Sequence, residues 1–209
     1  MELEKVEELL DAGEFAKALA ALKKSRAAGA EAALLRAEAL RGLGLFAEAL
    51  KCYPPAARGG GVSALTALLG SARCARALGD ERGALDAARK ARALSARLDE
   101  MREEAELEWA MALRLTGRLP EAARLLEKLY KGYKKSGDLS GAAFVLWALG
   151  GLYRLQGRYT EGIAAFEGSL ALARKDGDEA AAGYALFGLG GILRVAGFMG
   201  RALDCYVRA

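Results

Sequence analysis

The strongest constraint on this chain is that it repeats itself. Residues 137–166 read GDLSGAAFVLWALGGLYRLQGRYTEGIAAF, and residues 177–206 read GDEAAAGYALFGLGGILRVAGFMGRALDCY. The two segments align without gaps at a period of 40. Gly137 and Asp138 match Gly177 and Asp178. Leu146, Leu149, Gly150, Gly151, Arg154 and Gly157 match Leu186, Leu189, Gly190, Gly191, Arg194 and Gly197. A period of this size marks an array, in which each unit buries its apolar face only against its neighbours.

The pattern runs back through the chain. Gly13, Gly44, Gly79, Gly117, Gly157 and Gly197 recur at intervals that grow from 31 to 40 residues. Five residues after each comes a small residue: Ala18, Ala49, Ala84, Ala122, Gly162 and Ala202. Two residues after comes an apolar one, Phe15, Phe46, Leu119, Tyr159 or Met199, with Glu81 the exception. This is the logic of a helical hairpin. Glycine supplies the left-handed cap that ends the first helix, and the small residue lets the second helix approach closely. The spacing predicts helices near 2–11, 14–28, 31–43, 46–53, 63–78, 81–97, 100–116, 119–136, 139–156, 159–175, 178–196 and 199–209. Pro120 falls in a first turn, where proline is tolerated, and Asp138 and Asp178 are expected N-caps. Pro54-Pro55 and Gly59-Gly60-Gly61 break the pattern, so the second helix of the second hairpin is expected to end early in a loop.

Composition agrees with an all-α chain. The sequence holds 46 Ala and 36 Leu, against ten Val, Ile and Thr together. The first two favour helices and the last three favour strands. There is no His, which excludes His-dependent triads, His-ligated metals and imidazole acid–base steps. Cys52, Cys74 and Cys205 are scattered and form no CxxC pair, so they are expected as free thiols in a reducing cytoplasm. Neither a nucleophile elbow nor a phosphate-cradling loop occurs, since the GGG run lacks a following Lys-Ser/Thr. No enzyme, cofactor or metal is expected. Net charge is a mild +4 with acids and bases interspersed, which does not suggest a nucleic-acid binder. The longest uncharged stretches, 139–153 and 180–193, fall short of the ~18 residues of a membrane-spanning helix, and residues 1–5, charged at three positions, are not expected to act as a signal peptide.

The series Leu146-x-x-Leu149-Gly150-x-x-Tyr153, Tyr159, Phe166, repeated as Leu186, Leu189-Gly190, Leu193, Ala202 and Tyr206, resembles the tetratricopeptide repeat, in a long variant of about 40 residues. The resemblance covers essentially the whole chain and is most specific in the last two units. It implies a right-handed superhelical solenoid of antiparallel helix hairpins. One array of about six repeats is expected, near 1–29, 30–62, 63–98, 99–137, 138–177 and 178–209. The last is incomplete or uncapped, as in a piece of a longer array, and an uncapped end predicts end-to-end self-association.

The resemblance also implies that first helices line a concave groove that takes a protein or peptide partner. Two sets of residues fall there. Three residues before each turn glycine stand Leu10, Arg41, Arg76, Arg114, Arg154 and Arg194. Five arginines at equivalent positions predict a ladder for an acidic segment, because guanidinium groups pair bidentately with carboxylates. The same arginines sit in last helical turns, where they also offset the helix dipole. Phe144, Trp147, Tyr184 and Phe187 form an aromatic end, with Gly151, Gly191 and Gly188 expected to leave room for a ligand. Glu4, Glu7, Glu31, Glu38, Glu104 and Glu108 fall on the corresponding face as solvated charges or arginine partners, with Glu38 and Arg41 as i, i+3 neighbours. Asn is absent, which removes the Lys/Asn clamp of chaperone-adaptor members of the family. The expected function is a non-catalytic interaction scaffold. The alternatives are a ligand-sensing module built on the aromatic pocket, or a self-assembling segment of a larger protein.

Overall fold

The computed structural model describes residues 2–25 and 27–209, and most of the described residues are helical. The chain forms two compact units, residues 1–116 and 117–209. The first contains α1 (Glu2–Asp11), α2 (Phe15–Ser25), α3 (Ala30–Gly42), α4 (Phe46–Cys52), α5 (Pro54–Ala57), α6 (Val62–Ala77), α7 (Glu81–Leu98) and α8 (Arg102–Leu115). The second contains α9 (Leu119–Ser136), α10 (Leu139–Leu155), α11 (Tyr159–Asp176), α12 (Glu179–Val195) and α13 (Met199–Arg208). Within each unit consecutive helices pack on one another, and alternate helices touch as well, α6 with α8 and α10 with α12 among them.

The hairpin turns follow the glycines. Gly13, Gly44, Gly79, Gly117, Gly157 and Gly197 all have φ between +71° and +89°, a conformation that side chains with a Cβ rarely adopt. In the α6–α7 turn the Gly79 N–H donates to Arg76 O at 3.2 Å and the Asp80 N–H to Ala75 O at 2.9 Å. This closes the free carbonyls of α6 in the Schellman manner. The next helix is then capped by Asp80, whose carboxylate accepts from the Gly83 N–H at 2.9 Å. Asp138 and Asp178 cap α10 and α12 in the same way, from Gly141 and Ala181, each at 2.8 Å. All six small residues expected at helix crossings are buried.

The segment expected to be a loop after α4 is more ordered than that. Pro54 and Pro55 have no N–H to donate to Leu50 and Lys51, so the α4 ladder stops. Tyr53 nevertheless keeps helical angles, and the Ala56 and Ala57 N–H groups bond back to its carbonyl at 3.1 and 3.0 Å. The result is the separate turn α5, packed on α3 and α6. Tyr53, at the break, is fully buried. Its ring lies over Gly70 of α6, where any Cβ would collide with it.

In the second unit Phe166 of α11 plays the same part twice. Its ring lies against Gly150 of α10, where a Cβ would come within 2.8 Å, and against Gly188 of α12, where the clash would be closer still. Leu186, Leu189, Ile192, Leu193, Ala202 and Cys205 complete this core. We predict that Phe166→Ala costs about 3–5 kcal/mol, since it leaves a cavity that two backbones cannot close; urea unfolding measures it.

A second prediction concerns pH. The Tyr153 hydroxyl donates to Glu127 Oε1 at 2.9 Å. Burial, reinforced by that carboxylate, pushes the phenol up to about 12, against about 10 in an unfolded chain. Its neutral form is thus favoured by folding. The stability it contributes is complete below pH ~10 and is lost as pH rises toward 12. Melting temperatures recorded from pH 9 to 12 should fall less steeply in Tyr153→Phe than in the parent.

Candidate functional site: the α10–α12 face

On an α-helix, residues 140, 144, 147, 151 and 154 fall in one stripe, as do 184, 187, 191 and 194. The first stripe lies on α10 and carries Ser140, Phe144, Trp147, Gly151 and Arg154. The second lies on α12 and carries Tyr184, Phe187, Gly191 and Arg194. Because α10 and α12 touch, the stripes run side by side, aromatic toward their N-terminal halves and cationic at their C-terminal ends.

The aromatic half holds a cavity of about 240 Å³ lined by Ser140, Ala143, Phe144, Trp147, Ser169, Asp178, Ala181 and Tyr184. Phe144 and Trp147 meet at a ring separation of 5.6 Å. Two of the polar lining groups are already engaged. Ser169 donates to Ala143 O at 2.8 Å, and Asp178 accepts from the Ala181 N–H at 2.8 Å. The walls therefore present mostly apolar surface. Tyr184 is 68% exposed, Phe187 64% and Phe144 41%, so the rings form an open patch instead of filling the core.

Three of the four expected aromatics, Phe144, Trp147 and Tyr184, line the cavity together. Phe187 lies outside it and packs on Tyr206 of α13 at a ring separation of 5.6 Å. The glycines also have occupants other than open space. Gly188 is filled by Phe166, so it serves packing. At Gly191 a Cβ would lie 2.9 Å from Arg154 Nη1 and 3.9 Å from the Tyr206 hydroxyl, so the α10 guanidinium reaches across onto bare α12 backbone. Gly151 is buried on α10.

The arginines divide into two groups. In the first unit, Arg41 donates to Glu38 through Nη2 at 2.5 Å and Nε at 3.1 Å, and the Tyr53 hydroxyl donates to the same carboxylate at 2.7 Å. Arg76 donates to Glu108 at 3.4 Å beside Arg73 at 2.8 Å. The Glu108 side chain is only 5% exposed, so these two cations satisfy a carboxylate that burial would otherwise destabilise. Arg114 keeps its expected place in the last turn of α8. Arg154 and Arg194 differ: both are exposed, and neither side chain makes an ion pair or hydrogen bond among the described residues. The charge count follows the same division. The first 116 residues hold 18 basic and 18 acidic side chains, whereas residues 117–209 hold 13 and 9, so the whole +4 belongs to the second unit.

Residues 102–175, from α8 through α11, match the family model described as tetratricopeptide repeat. That stretch, about a third of the chain, matches tetratricopeptide repeats. Solved structures share the fold at low identity. One is BtubC (BKLC) from P. vanneervenii, 16% identical, with a TM-score of 0.65, covering 99% of this chain and 87% of that one. A Rap protein complexed with Competence and Sporulation Factor is 14% identical, with a TM-score of 0.73, covering 99% and 74%. A tetratricopeptide repeat protein from Parabacteroides merdae is 19% identical, with a TM-score of 0.55, covering 98% and 89%. No curated protein sequence matches this one. Tetratricopeptide repeats are in general non-catalytic modules that bind protein or peptide partners. Among the described residues no helix is long and apolar enough to cross a membrane, and no acidic or Cys cluster could hold a metal ion.

The division of the arginines gives a prediction. Glu108→Ala leaves Arg73 and Arg76 without their acceptor and should cost about 1–3 kcal/mol. Arg194→Ala removes an exposed, unpaired cation and should stay within about 0.5 kcal/mol. Chemical denaturation of both variants checks the contrast.

Proposed function

We propose that this tetratricopeptide repeat chain is a non-catalytic interaction module whose α10–α12 face takes up a segment of a partner protein. The observation that carries this reading is the cavity walled by Phe144, Trp147 and Tyr184, opening on a patch of exposed aromatic surface. Exposed apolar patches of this kind mark association sites. At about 240 Å³ the cavity is below the roughly 300–1,000 Å³ typical of drug-sized ligands, so it suits one large side chain better than a cofactor. Phe187, Gly151, Gly191, Arg154 and Arg194 extend the proposed surface along the two stripes. Arg76, held by Glu108, is assigned to structure. The Rap protein complexed with Competence and Sporulation Factor supports the reading by analogy of fold alone. The three free thiols support a reducing, cytoplasmic setting.

The test is a displayed peptide library panned on the parent and on Phe144→Ala/Tyr184→Ala. Peptides enriched on the parent should bind the double variant at least about ten-fold more weakly, with unchanged melting. Absence of enrichment, or equal binding to both proteins, overturns the proposal.

A second reading has its own observation. Met199, Leu203 and Val207 form an exposed stripe along α13, whereas Ile163, the α11 equivalent of Leu203, packs in the core with Ile192. This supports association through α13. Light scattering should show mass rising with concentration in the parent and staying constant in Leu203→Glu.

A further inference from the structure

Resting on the reading of the α10–α12 face above, we infer that its ligand is an extended segment with a large apolar side chain followed, after two residues, by a carboxylate. The apolar side chain enters the cavity between Phe144, Trp147 and Tyr184. The carboxylate binds where Arg154 and the Tyr206 hydroxyl meet over Gly191.

The geometry sets the spacing. Gly191 lies seven residues beyond Tyr184 on α12, which at 1.5 Å per residue is about 10 Å. An extended chain covers that distance in three residues at about 3.3 Å each. Phe187, between the two points, offers its exposed face to the intervening residues. The chemistry sets the charge. Arg154 is exposed, and no described residue pairs with it. Its Nη1 lies over Gly191, whose missing Cβ makes room for the guanidinium itself, so the group is seated at this point of the face. The Tyr206 hydroxyl, 3.9 Å from the place a Cβ would take at that position, adds a donor. Guanidinium and phenol together donate to a carboxylate as a charge-assisted set. The surrounding field agrees. On α9, Lys128, Lys131, Lys134 and Lys135 are exposed and make no ion pair among the described residues, and Arg124 is exposed with its Nε donating to Pro120 O, which adds to the positive charge of this unit. Stacking of nucleic-acid bases is the weaker fit, since the cavity is sized for one side chain and a phosphate backbone would need a line of cations along the groove.

The experiment uses the full chain as Trp109→Phe, leaving Trp147 as the fluorescent reporter. Four synthetic peptides are titrated at low salt: capped Gly-Phe-Ser-Ser-Glu-Gly, its Glu→Gln form, its Phe→Ser form, and Gly-Phe-Ser-Ser with a free terminal carboxylate. The Glu peptide should bind about ten-fold more tightly than the Gln peptide, and Arg154→Gln should abolish that difference. Gly191→Leu, which displaces the Arg154 guanidinium, should do the same. The free-carboxylate peptide separates the two sources: if it equals or exceeds the Glu peptide, the ligand is a chain terminus, and if it is weaker, an acidic side chain. Equal binding of the Glu and Gln peptides to the parent overturns this inference yet leaves the cavity reading standing. Equal binding of the Phe and Ser peptides overturns both.

Discussion

The second unit depends on one ring seated between two glycines. Phe166 occupies space that Gly150 leaves on α10 and that Gly188 leaves on α12. One side chain therefore fixes the distance of α11 from both of its neighbours. That distance lets α10 and α12 touch, which in turn puts the two stripes edge to edge and lets Arg154 reach α12. Interiors pack at crystal-like density, so such a seat has little slack. Tyr206 repeats the device on Gly190, sixteen residues away, the same interval that separates Phe166 from Gly150. Tyr53 over Gly70 and Phe15 over Gly42 extend it to the first unit.

Much of this was legible in the sequence because it is local. A turn glycine, a small residue five positions on and an aspartate before a helix each act within a few residues, and the helix boundaries follow them closely. The cavity was half legible. Phe144, Trp147 and Tyr184 declare themselves by their spacing on two helices at a period of 40. Ser169 does not, because it comes from α11 and meets the cavity only once the hairpin has closed. Ser140 lies one turn before Phe144 and could have been found from that periodicity.

Beyond the i, i+3 pair of Glu38 and Arg41, the sequence left undecided who pairs with whom. Arg41, Arg76, Arg154 and Arg194 occupy one repeat position and look equivalent as letters. Glu38 and Glu108 separate them, since each brings a carboxylate to an arginine of the first unit, and Glu108 does so across 32 residues of chain. Nothing acidic stands at the corresponding places of α10 and α12, where the residues are apolar or glycine. Gly191 misleads in the same way. An empty-looking position in the sequence is roofed by a side chain from the neighbouring repeat.

The unequal distribution of charge has a kinetic meaning. A unit with balanced charges and a unit carrying +4 attract an acidic segment differently before any contact forms. Long-range attraction raises the rate of encounter and orients the approach, and it decays over about 8–10 Å at physiological ionic strength. Under the proposed function the lysines of α9 act on arrival and the aromatic walls on departure, since hydrophobic anchoring shows mainly in the dissociation rate. A partner could thus be exchanged quickly or slowly by altering one end of the process without touching the other.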